Sequence, residues 1–222
     1  MNLVFLGDSL MHENGEDTYP QTGWPQGIKK YLKYGIGILD FAENGRSTKS
    51  FLHEGIFEKA LESVRPGDVC FISFGHNDEK IQDSTRYTDP FTSFEKNLCY
   101  MSNELCSKSS KVVLLSPVSR LKYDADGNLL HTHGDYPKAI MEIAKKTKRS
   151  FVDLEKLTYD DLSSHTRKEN EKHYMILKPG EFENYPQGKE DTTHLRVEGA
   201  DWVCSLLVPE LKKIDELKDV FR

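Results

Sequence analysis

The sequence predicts an α/β fold, a parallel sheet with helices on both faces, and three observations carry this. Short apolar runs alternate with amphipathic stretches along the whole of its 222 residues. The runs are apolar at consecutive positions, as strands buried on both faces require. Turns bearing glycine, serine or asparagine follow the early runs directly, where such a sheet gathers its reactive groups.

Leu3 to Leu6 reads as the first, central strand and enters Gly7-Asp8-Ser9. Thr22 to Tyr34 reads as a helix with Trp24, Ile28 and Leu32 on one face, before a second strand over Ile36 to Ala42. Thr48 to Val64 repeats the helical period through Phe51, Leu52, Ile56, Ala60 and Leu61, and Val69 to Phe74 is the third strand. The helix from Ser93 to Leu105 carries Phe94, Leu98, Met101 and Leu105, and the fourth strand is Lys111 to Ser116. A helix over Pro137 to Lys148 precedes a weaker fifth strand, Ser150 to Leu154. The Lys-, Glu-, Pro- and Gly-rich stretch from Lys168 to Glu190 reads as a long loop. A last amphipathic helix covers Val197 to Leu211. The expectation is one domain over residues 1–222, since no repeat, low-complexity tract or linker interrupts the pattern.

With 37% hydrophobic and 30% charged residues, the chain can bury a core beneath a well-solvated surface. Its net charge of -6 is spread without a basic stripe, which speaks against nucleic acid as a partner. No apolar run approaches membrane-spanning length. Met1 is followed at once by the first strand, with neither a basic leader nor room for a signal peptide, so the expected setting is cytoplasmic. Cys70, Cys99, Cys106 and Cys204 form no CxxC pair and no zinc spacing, and are read as reduced core thiols.

Four pieces carry chemistry: Gly7-Asp8-Ser9, Asn44-Gly45-Arg46-Ser47, Gly75-His76-Asn77-Asp78 and Asp191-Thr192-Thr193-His194. Taken alone, each reads as a helix cap, a turn or a strand terminator. Together they supply what ester hydrolysis needs: a nucleophile, a base with an orienting carboxylate, and donors for an oxyanion. Ser9 is the nucleophile, exposed by a strand-to-helix turn. The spacing of Asp191 and His194 lets the carboxylate hold the imidazole tautomer that faces the serine. The Ser9 and Gly45 backbone N–H groups and the Asn77 side-chain amide form the oxyanion hole, Gly45 allowing a tight turn with no Cβ in the way.

These blocks resemble those of the SGNH (GDSL-type) hydrolases, and within them the rhamnogalacturonan acetylesterase group. Further likeness lies in Tyr19-Pro20-Gln21-Thr22-Gly23-Trp24, Asn44-Gly45-Arg46-Ser47-Thr48, Ser116-Pro117-Val118-Ser119-Arg120 and Asn184-Tyr185-Pro186. Pro25 departs from the Trp-Gly pattern of that group, and Thr192 stands where Asn is common. The resemblance implies a flavodoxin-like three-layer αβα sandwich on a central five-stranded parallel sheet. It also implies Ser9, His194 and Asp191 as nucleophile, base and orienter, and cofactor-free deacetylation of pectic oligosaccharides through an acyl-enzyme. The alternatives are an acetylxylan esterase or another GDSL-type esterase, lipase or thioesterase, and, outside enzymes, a catalytically silent sugar-binding module. A nucleotide binder is disfavoured, since neither Gly-x-Gly-x-x-Gly nor a P-loop follows the first strand.

Asp124-Ala125-Asp126-Gly127-Asn128 reads as a turn, because its Gly falls fourth rather than sixth as a calcium loop needs. His131 and His133 lack a third ligand at a metal-binding spacing, so no metal is expected. Their loop follows the fourth strand and overhangs the site, which makes His133 and Arg120 candidate substrate contacts, with Tyr123 beside them; His76, beside Asn77, is a further candidate that either lines the floor of the site or simply packs. Trp24 reads as core rather than as a sugar-stacking ring.

Overall fold

The computed structural model describes residues 1–222. Strands β1 (Asn2–Gly7), β2 (Gly37–Asp40), β3 (Val69–Ser73), β4 (Lys111–Leu115) and β5 (Ser150–Val152) form one sheet in the order β2-β1-β3-β4-β5. Every neighbouring pair in it is parallel.

The side-chain alternation of a strand explains the two cores. Leu3 and Phe5 of β1, Val69 and Phe71 of β3, and Val113 and Leu115 of β4 enter one apolar cluster. Their sequence neighbours Val4, Leu6, Cys70, Ile72, Val112 and Leu114 enter the other. The first cluster takes α1 (Trp24–Ile28), α6 (Leu154–Ser163) and α8 (Val197–Leu211). The second takes α2 (Thr48–His53), α3 (Ile56–Ser63), α4 (Glu95–Ser107) and α5 (Tyr136–Thr147). The fold is thus the expected three-layer αβα sandwich on five parallel strands.

The expected helix over Thr48 to Val64 is two helices, α2 and α3, separated at Glu54-Gly55. The helix expected over Thr22 to Tyr34 is only α1 followed by a single 3-10 turn, Lys29–Tyr31. The fifth strand stops at Val152, because Asp153 caps α6 by accepting from the Lys156 backbone N–H at 3.1 Å.

The largest correction falls on the stretch from Lys168 to Glu190. It takes in most of α7 (Arg167–Asn170) and all of β6 (Tyr174–Leu177), and β6 pairs antiparallel with β7 (Lys189–Leu195). The apolar run Tyr174-Met175-Ile176-Leu177 was the available signal, masked by the polar residues on either side. Trp24 is fully buried and meets Phe5 edge-on at 5.4 Å, as a core residue. All four cysteines are free; Cys70 and Cys204 are buried, whereas Cys99 and Cys106 are only half-buried. No helix is long and apolar enough to cross a membrane.

Candidate active site

The strand order reverses direction between β1 and β3, and such a switch point opens a crevice beyond the carboxyl ends of the strands. Ser9 leaves β1 on a tight turn in which the Met11 and His12 N–H groups donate to the Asp8 carbonyl at 3.0 and 3.1 Å. This turn leads into no helix, contrary to the sequence reading, yet it does present the hydroxyl to the crevice. Gly7 is required by its neighbours: a Cβ there would stand 2.7 Å from the Ser73 carbonyl.

The opposite wall comes from an irregularity in β7. Tyr174 pairs with Leu195 while the next residue, Met175, pairs with Asp191, so Thr192, Thr193 and His194 have no partner in β6. Bulges of this kind re-aim side chains beside active sites. Asp191 shapes the bulge, its Oδ1 accepting from the Thr193 and His194 backbone N–H groups at 2.9 and 3.0 Å. The segment is pinned from both flanks, since Leu121 N–H donates to Thr192 O and Thr22 N–H to Leu195 O, each at 2.9 Å.

The bulge completes a relay. Ser9 Oγ–H donates to His194 Nε2 at 2.9 Å, and His194 Nδ1–H donates to Asp191 Oδ2 at 2.7 Å. Burial alone would raise the Asp191 pKa; the His194 ring and the Thr193 and His194 backbone donors outweigh it and hold the carboxyl well below its ordinary 3.8. Lys189 Nζ lies 3.2 Å from the same Oδ2. Sequence reasoning had not singled out that lysine, because its proximity depends on the β7 backbone.

The three candidate oxyanion donors differ in how the protein engages them. Neither the Ser9 nor the Gly45 backbone N–H donates to an acceptor within the protein. Gly45 has φ +77°, a conformation that favours glycine. Asn77 spends one N–H on the Arg46 carbonyl at 3.1 Å, while its Oδ1 accepts from Lys80 Nζ at 2.8 Å and Arg86 Nη1 at 3.3 Å. Three contacts therefore fix which way round the amide sits and leave one N–H free of protein partners.

Asp78, fully buried behind Asn77, ties this wall together. It accepts from the Thr48 backbone N–H at 3.0 Å, the Thr48 hydroxyl at 2.6 Å and the Thr88 hydroxyl at 2.7 Å. The segment carrying Gly45 and the segment carrying Asn77 are thus joined through one carboxyl group. Burial pushes the Asp78 carboxyl up to about 7 against these hydrogen bonds.

The residues expected to touch substrate lie one layer deeper. His76 and His133 are 4% and 1% exposed, and each places Nε2 against the Val118 carbonyl, at 3.1 and 2.9 Å. Burial pulls His76 down to about 4 although its Nδ1 faces Asp8 Oδ2 at 3.2 Å. His133 Nδ1 lies 3.1 Å from Glu79 Oε2, and Glu79 also pairs with Arg120. Arg120 retains a small exposed edge on the neighbouring cleft. These side chains brace the floor beside Asn77, and His76 and His133 are almost wholly buried. Tyr123 is likewise bonded within the protein, its hydroxyl accepting from Asn170 Nδ2 at 3.3 Å.

His131 is bonded elsewhere, to Glu155 Oε1 at 2.7 Å, and stacks on Tyr159. No three His, Cys, Asp or Glu side chains gather with metal-holding geometry. The Asp124 carboxylate caps a tight turn, accepting from the Asp126 and Asn128 N–H groups at 3.0 and 2.8 Å.

A serine, an imidazole and a carboxylate in series, beside unpartnered donors on a doubly wound sheet, are the equipment of a carboxylic ester hydrolase. The chain belongs to the GDSL-like Lipase/Acylhydrolase family, whose model matches residues 5–202. It is 32% identical over 218 residues to the rhamnogalacturonan acetylesterase RhgT of Bacillus subtilis, covering 97% of this chain and 92% of that protein. A probable rhamnogalacturonan acetylesterase of the same organism, YesY, is 30% identical, with 96% and 94% covered. The crystal structure of Bacillus subtilis YxiM superposes with a TM-score of 0.81 at 23% identity, covering 96% of this chain and 56% of that one. An acetylxylan esterase from Geobacillus stearothermophilus shares the fold, with a TM-score of 0.65 at 16% identity over 94% and 93% of the two chains.

The Asp191 geometry predicts a pH-dependent contribution to stability. A carboxyl whose folded pKa is depressed stabilises the fold above its unfolded value and loses that stabilisation as pH falls through the folded one. Asp191→Asn is expected to lower stability by about 1–3 kcal/mol at pH 7. The gap in Tm should narrow as both proteins are acidified below pH 3.8, the ordinary value. Thermal melts across that range check this, and a gap independent of pH contradicts it.

Proposed function

We propose that this protein removes acetyl groups from acetylated rhamnogalacturonan oligosaccharides through an acetyl-enzyme on Ser9. The single observation that carries the chemistry is the relay from Ser9 Oγ through His194 to Asp191, at 2.9 and 2.7 Å, with N–H groups of Ser9, Gly45 and Asn77 that have no acceptor within the protein. The sugar is supported by the two acetylesterase relatives, each aligned over nearly its whole length.

Ser9 Oγ attacks the acetyl carbonyl while its proton passes to His194 Nε2, and Asp191 stabilises the imidazolium that forms. The carbonyl oxygen, now an oxyanion, takes hydrogen bonds from the Ser9, Gly45 and Asn77 donors. Collapse breaks the bond to the sugar oxygen, which receives the proton from His194. Water then repeats the sequence on acetyl-Ser9, His194 taking its proton, and acetate leaves with Ser9 Oγ restored. Residues 1–222 act in this reading as one catalytic domain without metal or cofactor, on a short sugar rather than a nucleic acid or a membrane. The four free thiols support a reducing, cytoplasmic setting, in which transported pectic fragments are degraded.

The cleft beside Gly45 is lined by no hydrophobic side chain, which suits a sugar and offers nothing to a long acyl chain. The expected result is brisk hydrolysis of p-nitrophenyl acetate, falling steeply by octanoate, and acetate release from acetylated rhamnogalacturonan oligosaccharides ahead of acetylated xylo-oligosaccharides. Octanoate turnover equal to acetate, or preference for the xylo-oligosaccharide, contradicts this reading.

A further inference from the structure

We infer that the cleft running from Gly45 between α2 and the loop around residues 83–86 is a subsite for a sugar carboxylate. The inference rests on the acetylesterase reading above and specifies how that substrate is oriented. The cleft has a volume of about 700 Å³ and Gly45 is among its lining residues, so it borders the candidate oxyanion wall.

Its charge runs against that of the protein. The chain as a whole carries -6, yet Arg46, Lys49 and Arg86 line this cleft against two carboxylates, Glu54 and Asp83, leaving one net positive charge beside His53. Each arginine is held in place: Arg46 Nη2 pairs with Glu54 at 2.8 Å and Arg86 Nε with Asp83 at 2.6 Å. Lys49 is different. Its ammonium donates to the Ser84 carbonyl at 2.6 Å and has no carboxylate partner. An ammonium so placed retains two donors and its full charge for an incoming anion.

The other end of the site has the opposite polarity. On the His194 side, where Thr22 bonds Leu195, a second cleft is lined by five carboxylates; Arg196 pairs with Glu181 and Lys30 with Asp201, and Glu16, Asp17 and Glu183 are left without a cationic partner. A uronate carboxylate is repelled there and attracted toward Lys49. A galacturonan fragment bears such carboxylates, whereas a xylo-oligosaccharide backbone bears none. The charge asymmetry thus selects both the sugar class and the direction in which it lies across Ser9.

The experiment measures acetate release by the full chain from acetylated rhamnogalacturonan oligosaccharides, as free acids and as carboxyl methyl esters, with p-nitrophenyl acetate as denominator. The wild type is expected to favour the free acid in kcat/KM by about tenfold, a preference that shrinks as salt screens the charge. Lys49→Glu should abolish that preference and Lys49→Gln reduce it, both read as ratios between substrates. Equal kcat/KM for acid and methyl ester in the wild type, or a preference that survives Lys49→Glu, overturns the carboxylate subsite while leaving the acetylesterase reading intact. Release from acetylated xylo-oligosaccharides with none from either rhamnogalacturonan form overturns both.

Discussion

Ser9→Ala is expected to lower kcat on p-nitrophenyl acetate by about a million-fold, the scale seen when the nucleophile of such a triad is removed. In the proposed mechanism Oγ forms the acyl bond, and its proton passes to His194 Nε2 at 2.9 Å. His194→Ala is expected to cost nearly as much and to remove the acid limb of the pH–rate profile. The double variant should be little worse than either single one, because nucleophile and base act as a unit. Catalysis of about a thousand- to ten-thousand-fold over water should persist in all three variants, from the oxyanion donors and binding. Steady-state kinetics over pH checks this. Losses that multiply in the double variant, or an acid limb that survives in His194→Ala, would assign the base elsewhere.

Asn77→Ala comes second in expected effect, a fall in kcat of about 100- to 1000-fold with KM little changed. The free N–H of Asn77 is useful because the amide cannot turn: Arg46 O accepts from one side, while Lys80 and Arg86 donate to Oδ1 on the other. Two cations on the carbonyl oxygen also polarise the amide and sharpen its donor. Removing the side chain leaves the Ser9 and Gly45 N–H groups, so activity falls without vanishing, and the pH profile keeps its shape. Asn77→Asp should lose more than Asn77→Ala, since it sets a carboxylate where negative charge develops. Equal losses in kcat and 1/KM for Asn77→Ala would instead mark a residue that binds substrate.

Much of this was legible in the sequence because the informative residues are local. The runs Leu3–Leu6 and Val69–Phe74 read as buried strands, and as neighbours in one parallel sheet they bring Ser9 and Asn77 to the same edge. The break at Glu54-Gly55 stayed hidden because the apolar period continues through it from Phe51 to Ala60. The β6–β7 ribbon was read as a loop since only β6 has a strand-like composition; β7, Lys-Glu-Asp-Thr-Thr-His-Leu, is polar in all but its last residue and largely outside the core. What no local pattern encodes is the floor: Val118 O between His76 and His133, and Asp78 between Thr48 and Thr88, join residues distant in the chain. There the sequence offers polar residues at strand ends, and only packing decides whether they meet sugar or one another.

The most direct test of the account is rapid-quench mass spectrometry of the protein mixed with p-nitrophenyl acetate. One acetyl group per chain is expected during turnover, localised by proteolysis to the peptide bearing Ser9 and absent from Ser9→Ala. An acetyl group on another residue, or turnover by Ser9→Ala at the wild-type rate, would contradict it.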